Sequence, residues 1–146
     1  VQELRAHMGA VVTGTGTVLA DNPRLTVREA VRQPLRVVVG NRDLPPDALV
    51  HPVAQYRVPI ADALAALWQD HRCHRVLVEA GPGLSSALWQ ADLVDEVYWF
   101  QAPVVLGTGI RVLANSGESA LADVRRFSEV AVNRVGLDLL YHFLTR

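Results

Sequence analysis

One cysteine, Cys73, stands among 146 residues. No internal disulfide is possible, and the count fits a reducing compartment. No apolar run approaches the ~20 residues of a membrane span, and the opening VQELRAHMG is no signal peptide. Together these absences predict a soluble, cytoplasmic chain. Neither sign of charge dominates: 14 basic side chains against 15 acidic ones leave a formal charge of -1. A broad nucleic-acid or membrane surface is thereby not indicated, although single arginines can hold a small phosphorylated ligand.

The ligands of a metal centre are missing too. His71, Cys73 and His74 lie close together in DHRCHR. They straddle a helix end and a strand start, and nothing elsewhere completes a ligand set. Zinc deaminase chemistry needs H-x-E with P-C-x-x-C, and a Ser-His-Asp hydrolase needs G-x-S-x-G. None of these occurs. Repeats, low-complexity runs and internal linkers are also absent.

What is present suits one globular domain with a proper core. Half the residues are hydrophobic and a fifth are charged. VQELRAHMG reads as the end of a helix stopped by Gly9. AVVTG, LRVVVG and RVLVEA read as buried strands, and QYRV as a shorter one. Residues 59–70 read as a helix, with Ile60, Leu64 and Leu67 on one face. GPGLSSALWQA turns into a second helix with Leu84, Leu88 and Ala91 inward. DEVYWFQAP is a strand, and FSEVAVNRV with LDLLYHFLT reads as a closing antiparallel pair joined through Gly136. Strands separated by helices predict an α/β sheet, mostly parallel, with an antiparallel end. Such sheets bind ligands at the carboxyl ends of their strands. Gly14-Thr-Gly16, Gly81-Pro-Gly83 and Gly107-Thr-Gly109 all follow strands, and their convergence on one cleft is the expectation. Trp68, Trp89 and Trp99 read as core or interface residues.

EAGPGLSSAL has a strand ending at Glu79, a glycine pair around Pro82, and a helix start. Glycines admit a ligand close to the backbone, and a helix N-terminus offers free N–H groups to a phosphate. Ser85 and Ser86 add hydroxyls. A plain strand-to-helix turn has the same pattern. Glu79 is costly to bury unless it is paired or meets a ligand donor. Ribose hydroxyls or amines are one partner for it, and an arginine salt bridge is the other. GTGTVLADNPRLTVR, Gly14 to Arg28, does not satisfy G-x-G-x-x-G, because Leu19 holds the third glycine position. Asp21-Asn-Pro is turn chemistry by itself. Thr17, Asp21 and Arg28 nonetheless crowd one loop, with Arg28 and Arg5 as forks for a phosphate monoester.

LRAHMGAVVTGTGTVLADNPRLTVR, PLRVVVGNRDLP and VLVEAGPGLSSALWQADLVDEVYWFQAPVVLG together resemble the reductase half of the bacterial riboflavin-biosynthesis deaminase/reductase. The fold of that family is similar to dihydrofolate reductase. The likeness runs from the first residue to VGLDLLYHFL. The combined pattern T-V-L-A-D-x-P-x-L-T-V-R plus V-E-A-G-P-x-L is specific, and either piece alone is weaker. The resemblance implies a mixed, mostly parallel sheet flanked by helices, with a closing antiparallel strand pair at the C-terminal side. It implies NADPH-dependent reduction of the ribosyl group of 5-amino-6-(5-phosphoribosylamino)uracil to the ribityl form. The hydride would reach the opened, imine-like C1′, and no metal is needed. Positioning and electrostatics would carry most of such catalysis. By resemblance, Arg5, Leu25, Arg28 and Glu79 fall at substrate positions. Thr17 and Asp21 fall at NADPH positions, as do Gly81, Pro82, Gly83, Leu84, Ser85, Ser86 and Ala87. Asn41 and Arg42 stand where the 2′-phosphate would be judged. No catalytic acid is singled out.

The family begins this half with a strand, an A-x-S-L-D-G loop and a glycine and tryptophan segment, none of which is present. Residues 1–146 are therefore expected to form a single reductase domain, truncated on its N-terminal side and lacking its first strand and the deaminase half. The connection at residues 52–58 is a few residues short for the family, and Gly9 replaces a frequent polar residue. The apolar strand VYWFQAPVVL suggests a homodimer contact. Alternative readings are a reductase of another pteridine or pyrimidine, or a non-catalytic nucleotide-binding or assembly domain.

Overall fold

The computed structural model describes residues 1–117 and 124–145. Helix and strand alternate through α1 (Gln2–Ala6), β1 (Ala10–Gly14), α2 (Thr15–Asp21), β2 (Leu35–Val39), β3 (Ala54–Tyr56), α3 (Ile60–His71), β4 (Val76–Val78) and α4 (Pro82–Gln90). The chain then forms β5 (Glu96–Gln101), β6 (Glu129–Val135) and β7 (Asp138–Leu144). Strands β1 to β4 make one parallel sheet in the order β3-β2-β1-β4. Ala10, Val11, Val12 and Thr13 are fully buried, as a central parallel strand covered on both faces must be.

Alternation along β1 and β2 sends side chains into two clusters. Ala10, Val12, Val37 and Val39 meet Ile60, Ala63 and Leu67 of α3 and Leu88 of α4. Val11 and Val38 meet Val18 of α2 with Leu25, Ala48 and Val50. The three- and four-residue spacing of Ile60, Ala63 and Leu67 makes one apolar stripe on α3. Burying Ile60 and Leu67 contributes roughly 1.5–3 kcal/mol each. Arg72, in the left-handed conformation, ends that helix.

Residues 15–21 read as loop in sequence but form α2. Thr-Gly-Thr is a poor helix start, so the helix depends on tertiary packing. Val18 anchors it in the core, and Asn22 closes it with a left-handed backbone before Pro23.

The closing pair β6–β7 is antiparallel, and β5 joins it on the outer side of β7, giving the order β5-β7-β6. Gly136, with φ +64°, takes the first turn position of the β6–β7 hairpin, where a positive φ favours glycine. Among the described residues, β4 is paired only on its β1 side and β5 only on its β7 side. None of the described helices is long and apolar enough to cross a membrane.

Candidate active site

At the carboxyl edge of the parallel sheet, β4 runs into Glu79. Its amide donates to the Val12 carbonyl (2.9 Å), and its carbonyl accepts from the buried Thr13 hydroxyl (2.7 Å). Its carboxylate receives two hydrogen bonds of 2.6 Å from Arg5 Nε and Nη2. Arg5 Nη1 donates in turn to the Thr26 carbonyl (2.9 Å). The two side chains are 13% and 27% exposed, so the pair is shielded yet reachable from solvent. The Glu79 hydrogen bond pushes the Arg5 pKa above its ordinary value, against burial, which lowers it. Of the two partners that the sequence left open for Glu79, the arginine is in place.

The Thr26 contact draws residues 25–28 to this edge. The Leu25 side chain is only 2% exposed and lies in the core, with φ at +52°. Leu25 therefore serves the core rather than the open edge of the sheet, against its expected substrate position. The Arg28 amide donates to Gln2 Oε1 (2.8 Å), while its exposed guanidinium has no partner among the described residues. Gln33 holds Val27 by both backbone groups, at 2.8 and 2.7 Å.

Two residues beyond Glu79, the Gly81 amide donates to Thr17 Oγ1 (3.3 Å), tying α2 to the start of α4. Asp21 lies four residues after Thr17, at the exposed end of α2. Gly81 is the N-cap of the nine-residue α4 and makes no side-chain cap bond. Pro82 has no N–H, and the amides of Gly83 and Leu84 lie in the first turn, where no intrahelical partner is available. A Cβ at Gly83 would meet nothing within 4 Å. A bare amide turn with open space before it suits a phosphate, so these residues fit a dinucleotide.

The rest of the turn faces several ways. Leu84 packs inward, and its Cδ2 would lie 3.8 Å from a Cβ at Gly14. Ser85 Oγ donates to the Ala80 carbonyl (3.2 Å). Ser86 is buried: its hydroxyl donates to the Pro82 carbonyl (2.7 Å) and accepts from the Asn115 amide (3.1 Å). Ala87 is exposed one turn further along.

The loop after β2 completes the edge. Gly40 has φ +137°, and a Cβ there would stand 2.6 Å from Thr15 Oγ1. Only glycine lets β2 end so close to α2. Asn41 is exposed, and its carbonyl accepts from Arg57 Nη1 at 2.5 Å. The Gly14–Gly16 and Gly81–Gly83 segments therefore meet through Thr17. Gly107 and Gly109 are exposed, with nothing within 4 Å of a Cβ at either, and no hydrogen bond among the described residues joins them to the other two.

Thr13, Thr26 and Gln33 also work at this edge, and sequence reading passed over them. The available signal for Thr13 was a hydroxyl inside an apolar strand. Thr26 and Gln33 carry no such mark. A cavity of about 710 Å³ lies elsewhere, lined by Trp89, Asp92, Arg125, Arg126, Phe127 and Thr145. It contains none of the residues above. Among the described residues no three His, Cys, Asp or Glu side chains group to hold a metal. His74 instead packs edge-on to Trp68 at 4.6 Å.

Known proteins are similar to nearly the whole of this chain. The chain is 36% identical over 149 residues to the riboflavin biosynthesis protein RibD of Mycobacterium tuberculosis, covering 97% of this chain and 44% of that protein. It is 32% identical over 168 residues to the 2,5-diamino-6-ribosylamino-4(3H)-pyrimidinone 5′-phosphate reductase of Archaeoglobus fulgidus, covering 86% of this chain and 75% of that one. The crystal structure of a diaminohydroxyphosphoribosylaminopyrimidine deaminase/5-amino-6-(5-phosphoribosylamino)uracil reductase from Thermotoga maritima superposes with a TM-score of 0.78 at 26% identity, covering 99% of this chain and 47% of that one. The chain thus spans less than half of the RibD protein and of the two-activity enzyme that it matches. The model of the RibD C-terminal domain matches residues 1–141, and the chain belongs to the RibD C-terminal domain family.

Proposed function

We propose that this chain reduces the ribosyl group of 5-amino-6-(5-phosphoribosylamino)uracil to the ribityl form, with NADPH as the reductant. The observation that carries the reading is the two-residue separation of Glu79 and Gly81. Glu79 is tied through Arg5 to the Leu25–Arg28 segment, and Gly81 is tied to Thr17. Two candidate ligand walls therefore meet at one strand end. When bound, a nicotinamide dinucleotide supplies a hydride to the opened sugar carbon. Thr17, Asp21 and the bare turn at Gly81, Gly83 and Leu84 would hold that dinucleotide. Arg5 fixes the Glu79 carboxylate, which keeps lone pairs for ribosyl hydroxyls or the nitrogen linked to them. The Arg28 guanidinium, without a partner among the described residues, suits the substrate phosphate. Held geometry of this kind lowers a barrier without any metal.

Residues 1–146 are read as one reductase domain. The edges of β4 and β5 that are unpaired among the described residues are the room that a further strand would need. The single cysteine fits a reducing cytoplasm. A homodimer is the proposed assembly. Trp99 of β5, Leu139 of β7 and Val130 and Val132 of β6 share one sheet face by register, and each is at least 38% exposed. Apolar patches of this kind mark partner surfaces, and sedimentation should find a dimer.

Fluorescence titration with NADPH tests the site. Gly81→Val adds methyl groups beside Thr17, where a Cβ itself has an ordinary 3.6 Å contact. It should weaken NADPH, while Arg28→Ala spares NADPH and weakens the phosphorylated substrate. Equal NADPH affinity in wild type and Gly81→Val would sink the cofactor turn.

A further inference from the structure

Four hydrogen bonds run from β3 and the residue after it to the loop that follows β2. The amide of Gln55 donates to the carbonyls of Gly40 (3.0 Å) and Arg42 (2.9 Å). Arg57 donates through Nη1 to the Asn41 carbonyl and through Nη2 to Asp43 Oδ1, each at 2.5 Å. A side-chain amide has two N–H donors, so Gln55 commits both to this one loop. Three successive carbonyls are held from the β3 side, and the Gly40 amide adds a 2.9 Å bond to the Tyr56 carbonyl. Gln55 stands opposite Val38 in the sheet register, next to a fully buried position, where an unpartnered amide would be costly.

Two glycines let the held loop meet α2. Gly40 presses against the buried Thr15. A Cβ at Gly16 would stand 2.8 Å from Arg42 Nη2, so the absence of one lets that guanidinium lie over the start of α2. The Arg42 guanidinium has no hydrogen-bond or ion-pair partner among the described residues. A planar fork with free donors suits a phosphate monoester.

We infer that Gln55 and Arg57 are positioning residues that hold Asn41 and Arg42 toward the 2′-phosphate of the dinucleotide, and so set a preference for NADPH over NADH. The inference rests on the dinucleotide reading above. Gln55 carries most of the effect, because the Arg57–Asp43 pair is 48% and 92% exposed and exposed pairs contribute little.

The test is a fluorescence titration of the intact chain with NADPH and, separately, NADH. Gln55→Leu should weaken NADPH about tenfold, the loss of one charge-assisted contact, and leave NADH nearly unchanged. Arg57→Ala should move the ratio less but in the same direction, with Arg57→Lys restoring part of it. In turnover, KM for NADPH should rise while kcat at saturation holds. Gly81→Val should weaken both dinucleotides alike. An unchanged NADPH-to-NADH ratio in Gln55→Leu overturns the inference, as does an equal loss of both. If wild type binds NADPH and the ratio ignores β3, the inference alone fails. If wild type binds neither dinucleotide, the cofactor reading fails and takes the inference with it. Should Gln55→Leu not fold, the exposed Arg57→Ala decides by the same ratio.

Discussion

The Arg5 guanidinium grips the Glu79 carboxylate through two hydrogen bonds of 2.6 Å, across 74 residues of chain. That fork joins the first helix to the end of β4. It also turns a carboxylate at the end of an apolar strand into a held acceptor. Arg5→Ala leaves Glu79 shielded without its partner and should cost about 1–3 kcal/mol in chemical denaturation. Arg5→Lys keeps the charge but loses the fork, and should recover only part of that. A double-mutant cycle with Glu79→Gln should give a coupling on the order of 1 kcal/mol. Strict additivity would mean that the pair is not coupled.

Gly40 and Gly83 should answer oppositely to alanine. At Gly40 the added Cβ meets the buried Thr15 at a backbone φ of +137°. The strain predicts a loss of roughly 1–3 kcal/mol and a lower Tm. At Gly83 nothing lies within 4 Å, and alanine suits a helix better by about 0.5–1 kcal/mol. Gly83→Ala should therefore keep or raise Tm while weakening NADPH. A fall in Tm at Gly83 equal to that at Gly40 would contradict the open-turn geometry.

Acid should loosen the second sheet through Glu96. Tyr98 donates to Glu96 Oε2 (2.8 Å), His142 Nε2 lies 2.9 Å from the same oxygen, and the two rings stack at 4.3 Å. The Tyr98 hydrogen bond holds the Glu96 carboxyl below its ordinary 4.5, against burial, with His142 and Arg75 adding to the lowering. A carboxyl depressed in the folded state stabilises above its unfolded pKa, and that contribution is lost as pH falls through the folded value. Wild-type Tm should therefore drop more steeply than that of Glu96→Gln below about pH 4.5. Superimposable acid profiles would exclude the contribution.

Leu25 separates core from site. Its side chain packs with Val11, Val18, Val38 and Val50 and is 2% exposed. Leu25→Ala should cost about 2–5 kcal/mol by urea unfolding, as cavity-forming changes do. A cost near zero would place the side chain at the surface.

Sequence and structure agree best where periodicity is strong. The apolar runs of β1 and β2 and the residues Ile60 and Leu67 on α3 declare their burial locally, whereas the third buried position of that helix is Ala63, with Leu64 only partly buried. Helix α2 was hidden because Thr-Gly-Thr lacks helix preference and only Thr15 and Val18 anchor it in the interior. Strand pairing was hidden too: the apolar, aromatic run of β5 reveals a strand but not that β7 is its neighbour. Glu79 showed the same limit. Its position announced that it needed a partner, but Arg5 is 74 residues away and no local pattern names it. Glycines, hydroxyls and charges marked residues 14–28 and 79–87 in the sequence, and Thr17 and Arg5 tie the two segments together, whereas Gln55 and Gln33, isolated polar residues, carried no signal of their backbone partners.

The most direct measurement follows reduced-nicotinamide absorbance while the chain is mixed with NADPH and either 5-amino-6-(5-phosphoribosylamino)uracil or dihydrofolate. The expected result is steady oxidation with the ribosylaminouracil phosphate, a ribityl product, and none with dihydrofolate. Oxidation with dihydrofolate alone, or NADPH binding without any oxidation by the ribosylaminouracil phosphate, would contradict it.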